Sequence, residues 1–133
     1  MRFLSEFWNY SRPLAADDDM FDCVAITGDD AFVFVTEFAS EFDVDMSNYR
    51  WYFHHEEEGH NFGGLFFKPP NQRVNRIPIT ISLLAKAIDT KIWPIDYPEH
   101  KLPRVRLDML INQVSVVGVV VLVGFFIWGR FIS

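Results

Sequence analysis

One stretch constrains this chain more than any other. "VSVVGVVVLVGFFIW", Val114 to Trp128, holds no charged residue and only Ser115 as a polar side chain. Extended back to Leu110 and on to Gly129 it counts 20 residues, roughly 30 Å as a helix and enough to cross the hydrocarbon core of a bilayer. Its valines favour strand locally, but buried strands stop at about 4–8 residues, well short of this run. The reading is a single transmembrane helix over residues 110–129, anchored by Leu110, Val114, Val117, Val121, Phe125 and Trp128. Asn112 and Gln113 then sit at one interface and Trp128 at the other. Gly118 and Gly124 are six apart and do not form the GxxxG face of dimerising helices.

Orientation follows from the flanks. Lys101, Arg104 and Arg106 precede the span and only Arg130 follows it, so the positive-inside rule leaves the N-terminal part in the cytoplasm and a short tail, 130–133, across the membrane. The opening "MRFLSEFWNYSRP" has no apolar core of the kind a cleavable signal peptide needs. The arrangement expected is tail-anchored.

What remains suits one small domain, residues 1–98, joined to the span by a Pro-containing linker, 99–109. Residues 1–58 carry 3 Lys/Arg against 14 Asp/Glu, whereas residues 59–133 carry 9 against 4. The first half repels phosphate backbones and attracts basic surfaces, which argues against nucleic acid as a partner. Cys23 is the single cysteine, so neither an intramolecular disulfide nor a multi-cysteine zinc cluster can form.

Helical spacing organises the domain. Phe3, Leu4, Phe7 and Trp8 make one apolar stripe of a short helix that Pro13 ends. "AADDDMFD" reads as a solvated acidic loop without the alternating ligands, central Gly and distal Glu of a calcium loop. In "GDDAFVFVTEFASEFDVDM", Asp29 or Asp30 is placed to cap a helix whose inner face is Ala31, Phe34, Val35, Phe38 and Phe42, with Thr36, Glu37, Ser40 and Glu41 on the other side. Glycines and prolines punctuate Glu56 to Ile77, with "LFF" as a short strand or buried loop anchor. A last helix in "IPITISLLAKAIDTKIWP" is capped by Thr80 or Ser82 and turns Leu83, Leu84, Ala87 and Ile88 inward.

The acidic helix start, the aromatic helix ending in "EFDVDM" and the short closing helix introduced by "IT" resemble an acyl carrier protein fold. More closely, "GDDAFVFVTEFASEFDVDM", "YFHHE" and "PITISLLAKAIDTKIWP" look like a bacterial carrier-like family, domain of unknown function 1493, over about residues 20–95. The resemblance implies a mainly α fold: a small acyl-carrier-like helical bundle with an irregular Gly/Pro-rich insertion, followed here by the membrane helix. The family is bacterial, and together with the separate membrane span this makes the expected location the bacterial inner membrane, with the N-terminal domain cytoplasmic. The serine that carries phosphopantetheine in the carriers is missing. Matching the motif puts Asp30 in its place, a gapless alignment from Phe42 puts Gly28 there, and no serine lies between Arg12 and Ala39. Fold resemblance does not carry chemistry, so phosphopantetheine is not expected.

"HHEEEGH", residues 54–60, is the string most like a metal site, with His54, His55, Glu58 and His60 as candidate ligands. His55 and His60 are five apart rather than the four that would put them on one helical face. No Ser/His/Asp set, P-loop or GxGxxG occurs. The function expected is a non-catalytic, membrane-anchored interaction module that docks a basic protein surface through Asp29, Asp30, Glu37, Glu41, Asp43 and Asp45, with the lipid bilayer as its other partner. The alternatives are a divergent acyl or peptidyl carrier and a metal-binding protein.

Overall fold

A computed structural model describes Phe3, Ser5 and residues 9–132. Among the described residues from 9 onward, four α-helices follow in order, α1 (Met20–Val24), α2 (Gly28–Phe42), α3 (Ile81–Thr90) and α4 (Leu107–Ile132), with single 3-10 turns at Trp51–Phe53, Phe62–Leu65 and Pro70–Gln72. The described residues are mainly helical and contain no strand. Two isolated bridges, Asp19 with Thr80 and Asp45 with Ile92, tie the chain ends of α1 and α2 to the ends of α3. Of the N-terminal stripe, Leu4, Phe7 and Trp8 lie outside the described residues; Phe3 meets Phe34 and Phe42 edge-on, each at 5.5 Å.

The acidic stretch is more than a solvated loop. Asp19 accepts from the Phe21 amide and so caps α1, which gives an otherwise unpartnered helix-end donor an acceptor. The cap lets Met20 and Phe21 point inward, where both are fully buried. Arg76 ties the same segment down by ion pairs to Asp19 and, at 2.9 Å, to Asp22. Five residues are too few for a periodic signal, so the helix is set by its cap and by tertiary contacts.

The aromatic periodicity of α2 builds the core. Ala31, Phe34 and Phe38 are buried, and Val35 and Phe42 pack half-buried beside them. Phe21 meets Phe34 edge-on at 5.5 Å, and Phe34 stacks on Phe38 at 6.0 Å. Full burial of one such ring stabilises the fold by about 1.5–3 kcal/mol. From α3, Leu84 and Ala87 are buried, with Leu83 and Ile88 at the margin. Thr80 caps this helix, its hydroxyl accepting from the Leu83 amide at 3.1 Å. At the other end Lys91 adopts φ +61° and donates its Nζ to the Phe42 carbonyl at 2.7 Å, closing α3 onto the end of α2.

Asp29 and Asp30 do not cap α2. Thr27 holds the N-cap position, and the aspartates occupy the first turn, where their charge suits the positive end of the helix dipole. The entry is made by Gly28, which takes φ +53° and has its α-carbon covered by Glu58: a β-carbon would stand 2.1 Å from the Glu58 side chain. Only glycine adopts that backbone at no steric cost.

A second aromatic cluster surrounds His54, which is fully buried. Its Nδ1 donates to the Ile77 carbonyl at 2.8 Å, leaving Nε2 to accept from the Tyr97 hydroxyl at 2.7 Å. Tyr97 in turn accepts from Trp93 Nε1 at 2.8 Å and from the Arg50 amide at 3.2 Å. Burial drives the His54 pKa down to about 4, so the ring is neutral at pH 7 and both its nitrogens are used.

Candidate functional site

The polar network that roots α4 defines the site. Arg106 grips Glu57 with both terminal nitrogens, at 2.9 and 2.7 Å, and holds Asp108 through Nε at 2.9 Å and Nη2 at 2.6 Å. Asp108 is 2% exposed and also accepts from Asn61 Nδ2 at 2.9 Å. Asn61 Oδ1 accepts from Asn112 Nδ2 at 2.9 Å, and Asn112 Oδ1 accepts from the Gly63 amide at 2.7 Å. A buried charge persists only where it is paired and hydrogen-bonded, and the partners here come from two segments, the loop 57–63 and the root of α4. The helix begins at Leu107, inside the stretch read as a linker, and its first two turns are bonded to the domain.

Between this root and α2 lies a cleft of about 900 Å³, within the size range of ligand sites. Helix geometry divides α2 into three faces. Ala31, Phe34, Phe38 and Phe42 enter the core; Asp30, Val33, Glu37 and Glu41 face outward; Asp29, Phe32, Val35, Thr36 and Ala39 line the cleft. Met46, Tyr49 and Trp51 add to the apolar floor, and Met109 and Asn112 of α4 close it toward the long helix. Phe32 is 71% exposed although it sits between core residues.

The rim is acidic. Asp29, Glu56, Glu57 and Glu58 border the cleft together with His55 and His60, and among the described residues no lysine or arginine lines it. Glu57 is neutralised by Arg106; among the described residues Asp29, Glu56 and Glu58 have no ion-pair partner. His55 packs against Phe21 and Trp51, at 6.1 and 5.7 Å between rings, and burial pushes its pKa down, so it adds no compensating charge at pH 7. The Tyr49 hydroxyl is buried in this wall, finds no hydrogen-bond partner among the described residues, and is pushed up in pKa by that burial.

The residues expected to form one docking surface lie in three places. Asp29 is on the cleft rim, Asp30, Glu37 and Glu41 are on the outward face of α2, and Asp43 and Asp45 follow its end. Asp43 takes φ +51° as the C-cap. Asp45 pairs its backbone with Lys91 and Trp93, and its carboxylate accepts from the Ser47 amide at 2.8 Å, which holds its pKa below the usual value. Of the "HHEEEGH" candidates, His55, Glu58 and His60 border the cleft, but His54 is committed inside the aromatic cluster. No group of three His, Cys, Asp or Glu side chains among the described residues is arranged to hold a metal ion.

"LFF" is neither a strand nor a buried anchor. Leu65 and Phe66 are 77% and 65% exposed, while Gly63 of the same turn packs against Asp108 of α4.

The cleft residues that sequence reasoning missed include Phe32, Met46, Tyr49, Trp51, Met109 and Asn112. Phe32, apolar on an otherwise polar side of its helix, was the available signal. A comparison with protein-family profiles, curated proteins and solved structures finds no match to the chain.

Proposed function

We propose that the protein is a membrane-anchored, non-catalytic interaction module of carrier-like helical fold, held on the cytoplasmic face of a bacterial inner membrane, and that it docks a basic partner protein in the cleft beside α4. The observation that carries this reading is the composition of that cleft: an apolar floor and a rim of four carboxylates, of which Arg106 pairs only Glu57, with no lysine or arginine among the described residues that line it. An apolar side chain flanked by Lys or Arg satisfies both at once. The cytoplasmic flanks of membrane spans are enriched in such cations, and α4, 26 residues long and apolar enough to span a bilayer, sets the cleft beside the membrane surface.

The same geometry favours binding over catalysis. Asp29 and Asp30 diverge, one onto the cleft and one onto the outward face, so they do not form an acid/base pair. Gly28 and Asp30, the two positions aligned with the carrier serine, offer no hydroxyl for a prosthetic arm.

The test is a titration of the full-length protein, in zwitterionic nanodiscs, with a fluorescent amphipathic peptide of leucine and lysine and with its leucine and glutamate counterpart. The lysine peptide is expected to bind, to lose affinity as salt is raised, and to bind roughly tenfold more weakly to Asp29→Asn/Glu58→Gln, the order of effect of removing two rim charges. Binding indifferent to salt, to the substitutions and to peptide charge would overturn the reading.

A further inference from the structure

The turn that braces α4 exposes Phe62, Leu65, Phe66 and Phe67 at 54%, 77%, 65% and 40%. Four large apolar side chains within six residues, two of them in mutual edge contact at 5.7 Å, make a patch of the kind that marks an interaction surface. We infer that this turn inserts into the headgroup and upper acyl region of the bilayer that α4 crosses, so that the domain is held to the membrane at two points.

Three observations identify lipid as the occupant. The turn is continuous with the membrane helix: Gly63 donates to Asn112 and leaves no room for a β-carbon against the Asp108 carbonyl. Its depth is set by the same contacts, because Asp108 and Asn112 bracket Leu110, the first residue of the span read from the sequence. Lys68 follows the patch directly, and Arg73 Nε donates to the Lys68 carbonyl at 2.7 Å, so two exposed cations stand beside the aromatics. Apolar side chains backed by lysine and arginine are the composition of interfacial membrane anchors. The inference rests on α4 spanning a bilayer and is independent of the protein partner.

Depth-resolved quenching tests it. In full-length protein with Cys23→Ser, a fluorophore is placed through Phe66→Cys or, separately, Val119→Cys, and the protein is reconstituted in two sets of vesicles, one containing lipid brominated near the top of the acyl chain, the depth proposed for position 66, and one containing lipid brominated near its end, the depth of position 119. The label at position 66 is expected to be quenched by the brominated lipid and shielded from iodide, as the label at 119 is. If only position 119 is quenched by lipid, the inference is overturned: iodide access at 66 then places the turn in water, and shielding there places a protein surface over it. If neither label is quenched, α4 does not lie in the bilayer and the inference falls with the anchor.

Discussion

Gly63 rests against the carbonyl of Asp108 so closely that a β-carbon would stand 2.0 Å from that oxygen. The contact joins a loop to the first turn of α4, and neither backbone has a side chain that could give way. Gly63→Ala is therefore expected to force the two apart and to cost about 1–3 kcal/mol, as other overpacking substitutions do. Thermal melts of the full-length protein in detergent measure it. Gly118→Ala, at a position with nothing within 4 Å, is the comparison and should leave the melt unchanged.

Removing Arg106 leaves Asp108 buried without its counter-ion. Arg106→Leu should destabilise the domain by roughly 3–5 kcal/mol, the range for stranding a buried charge. Arg106→Leu/Asp108→Leu should recover part of that loss, because an apolar pair leaves no charge to solvate. Denaturant midpoints of the two variants and the parent decide it; equal loss in both would show that the carboxylate is not what the arginine serves.

Acid should loosen the second aromatic cluster. His54 is neutral in the fold, with its pKa lowered to about 4 by burial, whereas in the unfolded chain it takes a proton near pH 6.5. Between those values the unfolded state binds more protons, so stability falls as pH drops through the window and levels off below it. The full difference amounts to roughly 3 kcal/mol. Urea midpoints at pH 7, 5.5 and 4, compared between the parent and His54→Gln, should show the steeper decline only where the histidine is present.

The full-length chain is expected to remain in the membrane pellet through an alkaline wash, while a chain ending at residue 103 is released. Recovery of the longer form in the supernatant would remove the anchor.

Exposure to a phosphopantetheinyl transferase should leave the intact mass unchanged. Thr27, exposed at the N-cap of α2, is the hydroxyl nearest in sequence to the carrier serine position, and a mass gain there would revive the carrier reading.

Helices α2 and α3 were legible because their apolar residues recur at three and four steps and because Thr80 is a cap of the usual kind. α1 was not, since a five-residue helix has no period and "ADDDM" has the composition of a loop. The aspartate cap was misplaced by two or three residues: Thr27 holds the N-cap, and Gly28 enters the helix with a left-handed backbone beneath Glu58. The cleft as a whole could not be read: its walls come from α2, the acidic loop and the base of α4, brought together by bonds such as Asn61 to Asp108 that join residues 47 apart. His54 illustrates the same limit, for its sequence neighbours suggest a metal ligand while its spatial neighbours, Ile77 and Tyr97, use both ring nitrogens.

On the proposed reading, with α4 across a bilayer, the bonds from Glu57 to Arg106 and from Asn61 to Asp108 also limit how far the domain can roam. A head on a loose tether sweeps a hemisphere and samples partners at many heights and angles. A head bolted to its mast turns only about the membrane normal and travels only in the plane, so it meets what drifts past at one fixed level. For such a bracket, encounter becomes a two-dimensional search, and the partners it can select are those that present their docking segment at that level.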